Sequence, residues 1–114
     1  MKMKLIVTAL LLCLSVPALA QFKTIAEAYE VQIGDVRLPQ NDIGTIAFKR
    51  CGDCDYETRR INRGTVWEFN GERMSLEKFR RALARVDRSD NIPVQVLHHL
   101  ESNQVTKVWI RVPE

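Results

Sequence analysis

The chain has 114 residues, 46% of them hydrophobic and 27% charged, with 17 Lys+Arg against 14 Asp+Glu. That length holds one domain with one modest core, and so even a charge balance gives no support to nucleic acid as a partner. Nothing in it repeats, and no stretch is low in complexity.

The first twenty residues, MKMKLIVTALLLCLSVPALA, read as a secretory signal peptide. Lys2 and Lys4 make a positive start. Leu5 to Val16 is apolar but too short to span a bilayer comfortably, and Ala18-Leu19-Ala20 is a small-x-small cleavage signal. We expect a cut after Ala20 and a periplasmic destination. Cys13 follows Leu10, Leu11 and Leu12, where lipidation would need small residues, so it leaves with the signal. Removing twenty residues from 114 leaves a mature chain of 94, with 15 Lys+Arg against 14 Asp+Glu. No other segment spans a membrane, so no stable membrane insertion is expected after cleavage.

Gln21 to Pro39 is ambiguous. TIAEAYE suits a short helix and YEVQI a strand, with Gly34 and Pro39 as punctuation. We treat 21–40 as an N-terminal arm docked on an α+β domain at 41–114. In that domain TIAFKR (45–50), YETRRI (56–61) and TVWEF (65–69) read as strands. Asn70-Gly71 is a two-residue hairpin turn whose central positions need positive φ, and ERM (72–74) returns briefly. Ser75 caps a helix running to about Val86, with Glu77 at the positive end of its dipole. Leu76, Phe79, Leu83 and Val86 form one apolar stripe. IPVQVLHHL (92–100) is a strand with Pro93 near its start, ESN (101–103) a turn, and QVTKVWIRV (104–112) the last strand.

The expected fold is therefore α+β: a small antiparallel sheet of about five strands, order β-β-β-α-β-β, with one helix on one face. The helix stripe should meet Val108, Ile110 and Val112. Trp109 then lies on the other face, which one helix cannot also cover.

RCGDCDYE (50–57) carries the most chemistry. Two mature cysteines in an oxidising compartment favour a Cys51–Cys54 disulfide across a turn. Gly52-Asp53 is an acceptable hairpin loop, but the pairing sets Phe48 against Glu57 and Ile46 against Arg59, so a bulge or longer loop is expected. The competing reading is a thiol–disulfide redox protein with Cys51 as nucleophile and Cys54 as resolver. That chemistry wants a helix N-terminus to lower the thiol pKa, and the motif lies between strands. A metal site would need His98 or His99 as well. Adjacent strand residues face opposite ways, so the two histidines cannot share one ion, and no metal or cofactor is expected.

Arg59, Arg60 and Arg63 cluster before the third strand, and Arg80, Arg81, Arg85 and Arg88 line the helix. A solvated face, balanced by Glu57, Glu68, Glu72, Asp87 and Asp90, explains them better than an anion site or an acidic partner surface does. Trp67, Phe69 and Trp109 form either an aromatic platform or core. No serine-nucleophile, carboxylate-pair, phosphate-loop or nucleotide motif is present.

FNGERMSLEKFRRAL (69–83) followed by IPVQV (92–96) resembles the strand, Asn-Gly turn, helix, strand pattern in periplasmic domains of the biopolymer-transport (ExbD/TolR) family. The likeness covers under a third of the chain. That family keeps a membrane helix bearing a functional acid, which has no counterpart here, so a proton-driven role is not implied. The wider arrangement, FKRCGDC with VWEFNGERMSLEKFRRAL and VLHHLESNQV, is similar to small exported proteins of Gram-negative bacteria, which implies a location and no mechanism. The reading that results is a periplasmic binding or interaction module with a structural Cys51–Cys54 bridge. Its partner would be a periplasmic or envelope protein, and its partner surface would draw on Trp67, Phe69, Trp109, Arg59 and Arg60.

Overall fold

A computed structural model describes residues 24–113. The expected signal peptide, its cleavage after Ala20 and the first residues of the arm lie outside them.

The segment expected as an arm is built into the sheet. AEAYEVQ puts Tyr29 and Val31 on one side and exposed Ala28, Glu30 and Gln32 on the other, a period-two pattern that suits a strand. It forms β1 (Ala26–Gln32), then a single 3-10 turn (Ile33–Asp35), then β2 (Val36–Arg37). β3 (Gly44–Phe48), β4 (Glu57–Ile61), β5 (Val66–Phe69), β6 (Glu72–Met74), α1 (Leu76–Ala84), β7 (Pro93–His99) and β8 (Gln104–Ile110) follow. The α+β class holds. The sheet has eight strands rather than about five, in a different order, and it is mixed: β8 runs parallel to β4 and β5.

Two strand lines are broken once each. β1 pairs with β7 and β2 pairs with β3, so the two ends of the sheet are joined by the short turn at Ile33–Asp35. β4 and β5 both lie along one edge of β8. Arg60 faces Gln104 and Val66 faces Lys107, so six residues on one strand match three on the other. The three extra residues are an excursion around Asn62, Arg63 and Gly64. Joined across these breaks, five strand lines pair as first–second–third–fifth–fourth–first, with the helix between third and fourth. That is the connectivity of an OB-type Greek-key barrel.

Curling the sheet settles how one helix suffices. The inner face packs on itself, and Val31, Ile46, Phe48, Val94, Val96, Val105, Val108 and Ile110 are fully buried there. A bulge in β8 helps. Leu97 faces Lys107 but His98 faces Val105, so Thr106 is extra and both Val105 and Val108 turn inward. Trp109 faces out, as the alternation predicts.

The helix covers the interior between β5 and the β1–β2 corner. Ser75 Oγ accepts from Lys78 N–H, and Leu76, Phe79 and Leu83 are its buried residues. Phe79 packs against Trp67 with ring centroids 5.5 Å apart. α1 stops at Ala84, two residues before the expected end, where Arg85 and Val86 donate to carbonyls three residues back. The Asn70-Gly71 turn adopts the positive φ values the sequence requires, 50° and 83°. It is tied to the end of β8: Asn70 N–H donates to Ile110 O, and Val112 N–H to Asn70 Oδ1.

Candidate functional site

The cysteine turn comes first. Cys51 and Cys54 are disulfide-bonded, with Cα atoms 5.1 Å apart, and Cys54 N–H donates to Cys51 O across the turn. β3 ends at Phe48 and β4 begins at Glu57, so the bridge sits inside a longer loop, as the awkward register required. The register itself is the one the cysteine pairing dictates: Phe48 opposite Glu57, Ile46 opposite Arg59. Two charged side chains are thus carried on the same face as two core residues. The chain accommodates them at the barrel mouth. Arg50, beside the turn, places Nε 2.5 Å from Glu57 Oε2, and Arg59 approaches the other carboxylate oxygen at 3.5 Å.

Tyr29 completes this mouth. Its ring packs tilted against Phe48, with centroids 5.3 Å apart, and the Arg50 guanidinium lies 4.5 Å from its centroid. Its hydroxyl donates to Glu27 at 2.6 Å. Partial burial pushes the Tyr29 phenol up, and the Glu27 carboxylate adds to that. Below it, buried His98 bonds Asn103 through Nε2 at 2.9 Å, and its Nδ1 has no partner. His99 points outward, so the histidines diverge. Among the described residues, no group of three or more His, Cys, Asp or Glu is placed to hold a metal ion.

The second feature is a groove on the outer face. The register aligns Thr45, Arg60, Gln104, His99 and Ala26 in one row across five strand lines. Thr45 and Arg60 are exposed; Gln104 and His99 are half-buried. The groove occupies about 830 Å³ and is lined by Ile43, Thr45, Arg60, Asn62, Arg63 and Gln104, with backbone from Gly44 and Gly64. No acidic residue among those described lines it. Arg60 and Arg63 form no ion pair among the described residues, and neither do Arg37, Arg73, Arg80, Arg85, Arg88 and Arg111; Arg50, Arg59 and Arg81 are paired.

The excursion that carries Arg63 is held by a small network. Thr65, 7% exposed, donates its hydroxyl to Val105 O at 2.8 Å and accepts from Asn62 N–H at 3.0 Å. Asn62 Oδ1 accepts from Gly64 N–H, and its amide donates to Gln104 Oε1. A Cβ on Gly64 would sit 3.0 Å from Asn62 Oδ1, so glycine lets the loop fold this tightly. The groove wall is therefore built, not a chance gap between mobile side chains.

The residues singled out in the sequence do not form one surface. Cys51 and Cys54 meet. Trp67, 4% exposed, is core against Phe79 and cannot serve an outer platform. Phe69 is half-buried beside Val86 and Val112. Trp109 stands on the outer face, with Lys107 Nζ 5.0 Å from its ring centroid and Lys107 paired to Glu68 at 3.2 Å. Arg59 turns inward to the mouth and Arg60 outward to the groove. Thr45 meets Arg60 through the hairpin register that the cysteine pairing already implied, and Asn62 and Arg63 follow Arg60 in the chain; Gln104 joins them because β8 passes beside β4, which no local pattern signals. Searches of family models, curated proteins and solved structures find no match to this chain.

Proposed function

We propose that the protein is an extracytoplasmic binding module whose ligand lies in the groove over β3, β4 and the start of β8. One observation carries the reading. Two arginines stand in a groove that no described acid lines, on a wall held by the bonds of Thr65, Asn62 and Gln104, of which the Thr65–Val105 bond is buried. Guanidinium groups left unpaired on a rigid frame are ready to take an oxyanion in a bidentate contact. The apolar opening of the chain and the disulfide support export, and an N-terminus at Gln21 on the purified protein would establish the processing. The likeness to the ExbD/TolR family rests on the segment 69–96 alone and adds no activity.

A photo-reactive amino acid placed at Thr45 tests the site in living cells, with a second placed at Trp109. Capture at Thr45 alone is expected. Capture at Trp109 alone would move the partner surface to the outer face of β5 and β8 and overturn the groove.

Exchange chemistry at the cysteines is a second reading, favoured by the exposure of Cys51. Against it, the pair closes a turn and does not sit at a helix N-terminus. A glutathione redox series separates the two readings. A bridge that resists reduction below about −300 mV is structural, and one that exchanges between about −120 and −200 mV is redox-active.

A further inference from the structure

We propose that β1 takes up an added strand from another chain, an extended basic segment with two Lys or Arg residues three positions apart. This site is independent of the groove.

The edge is open because the first strand line breaks at Ile33–Asp35. Before the break it pairs with β7 alone, and after it with β3 alone, so β1 keeps one side without a neighbouring strand. Which backbone groups point to that side follows from one bond. Leu100 N–H donates to Ile25 O at 2.9 Å. From there the β1–β7 register runs without a shift, Ala26 facing His99 and Gln32 facing Pro93. Antiparallel pairs alternate between exchanging both bonds and exchanging none. Glu27, Tyr29 and Val31 therefore bond β7, while Ala26, Ala28, Glu30 and Gln32 turn their N–H and C=O groups to the open side. Pro93, which has no N–H to give, falls at an unbonded pair, as this phase requires. Among the described residues, no backbone bond joins this edge to another segment. The cysteine turn reaches β1 through side chains, with Arg50 and Phe48 meeting the Tyr29 ring on the inner side.

An open edge is a template for an added strand, and it is commonly guarded by lysine, proline or a bulge. β1 has none of these. Its guards are Glu27 and Glu30, both exposed, with no basic residue from Ile25 to Gln32. They repel a second copy of β1, which would set four carboxylates along one ladder, and they admit a basic strand. The nearby Arg50 cation is already held by Glu57. Glu27 and Glu30 stand three residues apart on opposite faces, so a partner strand running in either direction needs one base on each face at the same spacing. Exposed Ala28 between them leaves room for a large side chain beside it.

The experiment is amide hydrogen exchange on the full mature protein, followed by NMR. The probe is the end-blocked peptide TVKVTKT, with TVEVTET as its acidic counterpart. Ala28 and Glu30 amides should exchange fast in the free protein. With TVKVTKT at about ten times its Kd they should slow about tenfold, while Tyr29 and Val31, bonded to β7, change little. TVEVTET should slow none of them. Glu27→Gln combined with Glu30→Gln should weaken TVKVTKT about threefold or more. Ala28→Pro removes an N–H that no bond to β7 uses, so the variant should fold and lose the peptide. Arg60→Gln should leave binding unchanged, which separates this edge from the groove. Equal slowing by both peptides overturns the basic partner. A dimer in sedimentation that protects Ala28 and Glu30 without any peptide overturns it in favour of a second copy. No slowing at Ala28 and Glu30 with either peptide, or full binding to Ala28→Pro, overturns the edge itself.

Discussion

Thr65→Val isolates the force that holds the groove wall. The change keeps shape and volume but deletes a hydroxyl that makes two bonds, to Val105 O at 2.8 Å and from Asn62 N–H at 3.0 Å. Each such bond contributes about 1 kcal/mol net, and a buried partner left unpaired costs up to about 3 kcal/mol. With Thr65 7% exposed, a loss of about 2–4 kcal/mol is expected. For a domain of this size that lowers Tm by roughly 10–20 °C. Thr65→Ser keeps the hydroxyl and removes one methyl, a loss of about 1 kcal/mol. Urea unfolding with an unchanged m-value measures both, and amide exchange at Asn62 and Gly64 should accelerate in Val only. A Val variant as stable as Ser would refute the idea that the hydroxyl anchors the excursion, and with it the rigidity on which Arg63 depends.

Removing the bridge with Cys51→Ser and Cys54→Ser should cost about 2 kcal/mol, because closing so short a loop restrains little unfolded-chain entropy. A loss twice as large would mean that the turn also holds the Arg50–Glu57 contact in place. Trp67→Ala should cost about 3–5 kcal/mol as a core cavity opens beside Phe79, whereas Trp109→Ala should cost under about 1 kcal/mol. Similar losses would contradict the inward and outward assignment. The raised Tyr29 phenol keeps its proton longer in the folded state. Its stabilising contribution is complete below the ordinary value of 10.0 and is lost as pH climbs through the raised one. Absorbance at alkaline pH should show one late tyrosinate that Tyr29→Phe removes and Glu27→Gln moves earlier. A Tyr29→Phe variant that leaves the late phase intact assigns it elsewhere.

Local chemistry was legible in the sequence wherever neighbours in the chain decide the outcome. The Asn70-Gly71 turn needs positive φ whatever surrounds it, Ser75 caps its own helix, and Cys51 and Cys54 are close enough along the chain to find each other. The alternation that sends Val108 and Ile110 inward and Trp109 outward is also local, a property of the pleat. Even the apparent flaw in the cysteine register was real. Glu57 and Arg59 do share a face with Phe48 and Ile46.

Tertiary structure decided what depends on distant pairing. AEAYEVQ has helix-forming alanines and glutamates, and only seven register pairs with β7 make it a strand. Trp67 and Trp109 both read as strand tryptophans. Which one is core follows from where Phe79 lands. Asn62-Arg63-Gly64 looks like an ordinary strand boundary until β8 runs past both sides of it and turns it into an excursion with Arg63 at the tip. The parallel pairing of β8 with β4 joins residues more than forty positions apart, and closing so long a loop leaves no periodic mark in the sequence. The sequence by itself determined the turns, the cap, the bridge and the facing of β8 from 107 to 110. The barrel closure, and the groove that depends on it, belong to the tertiary fold.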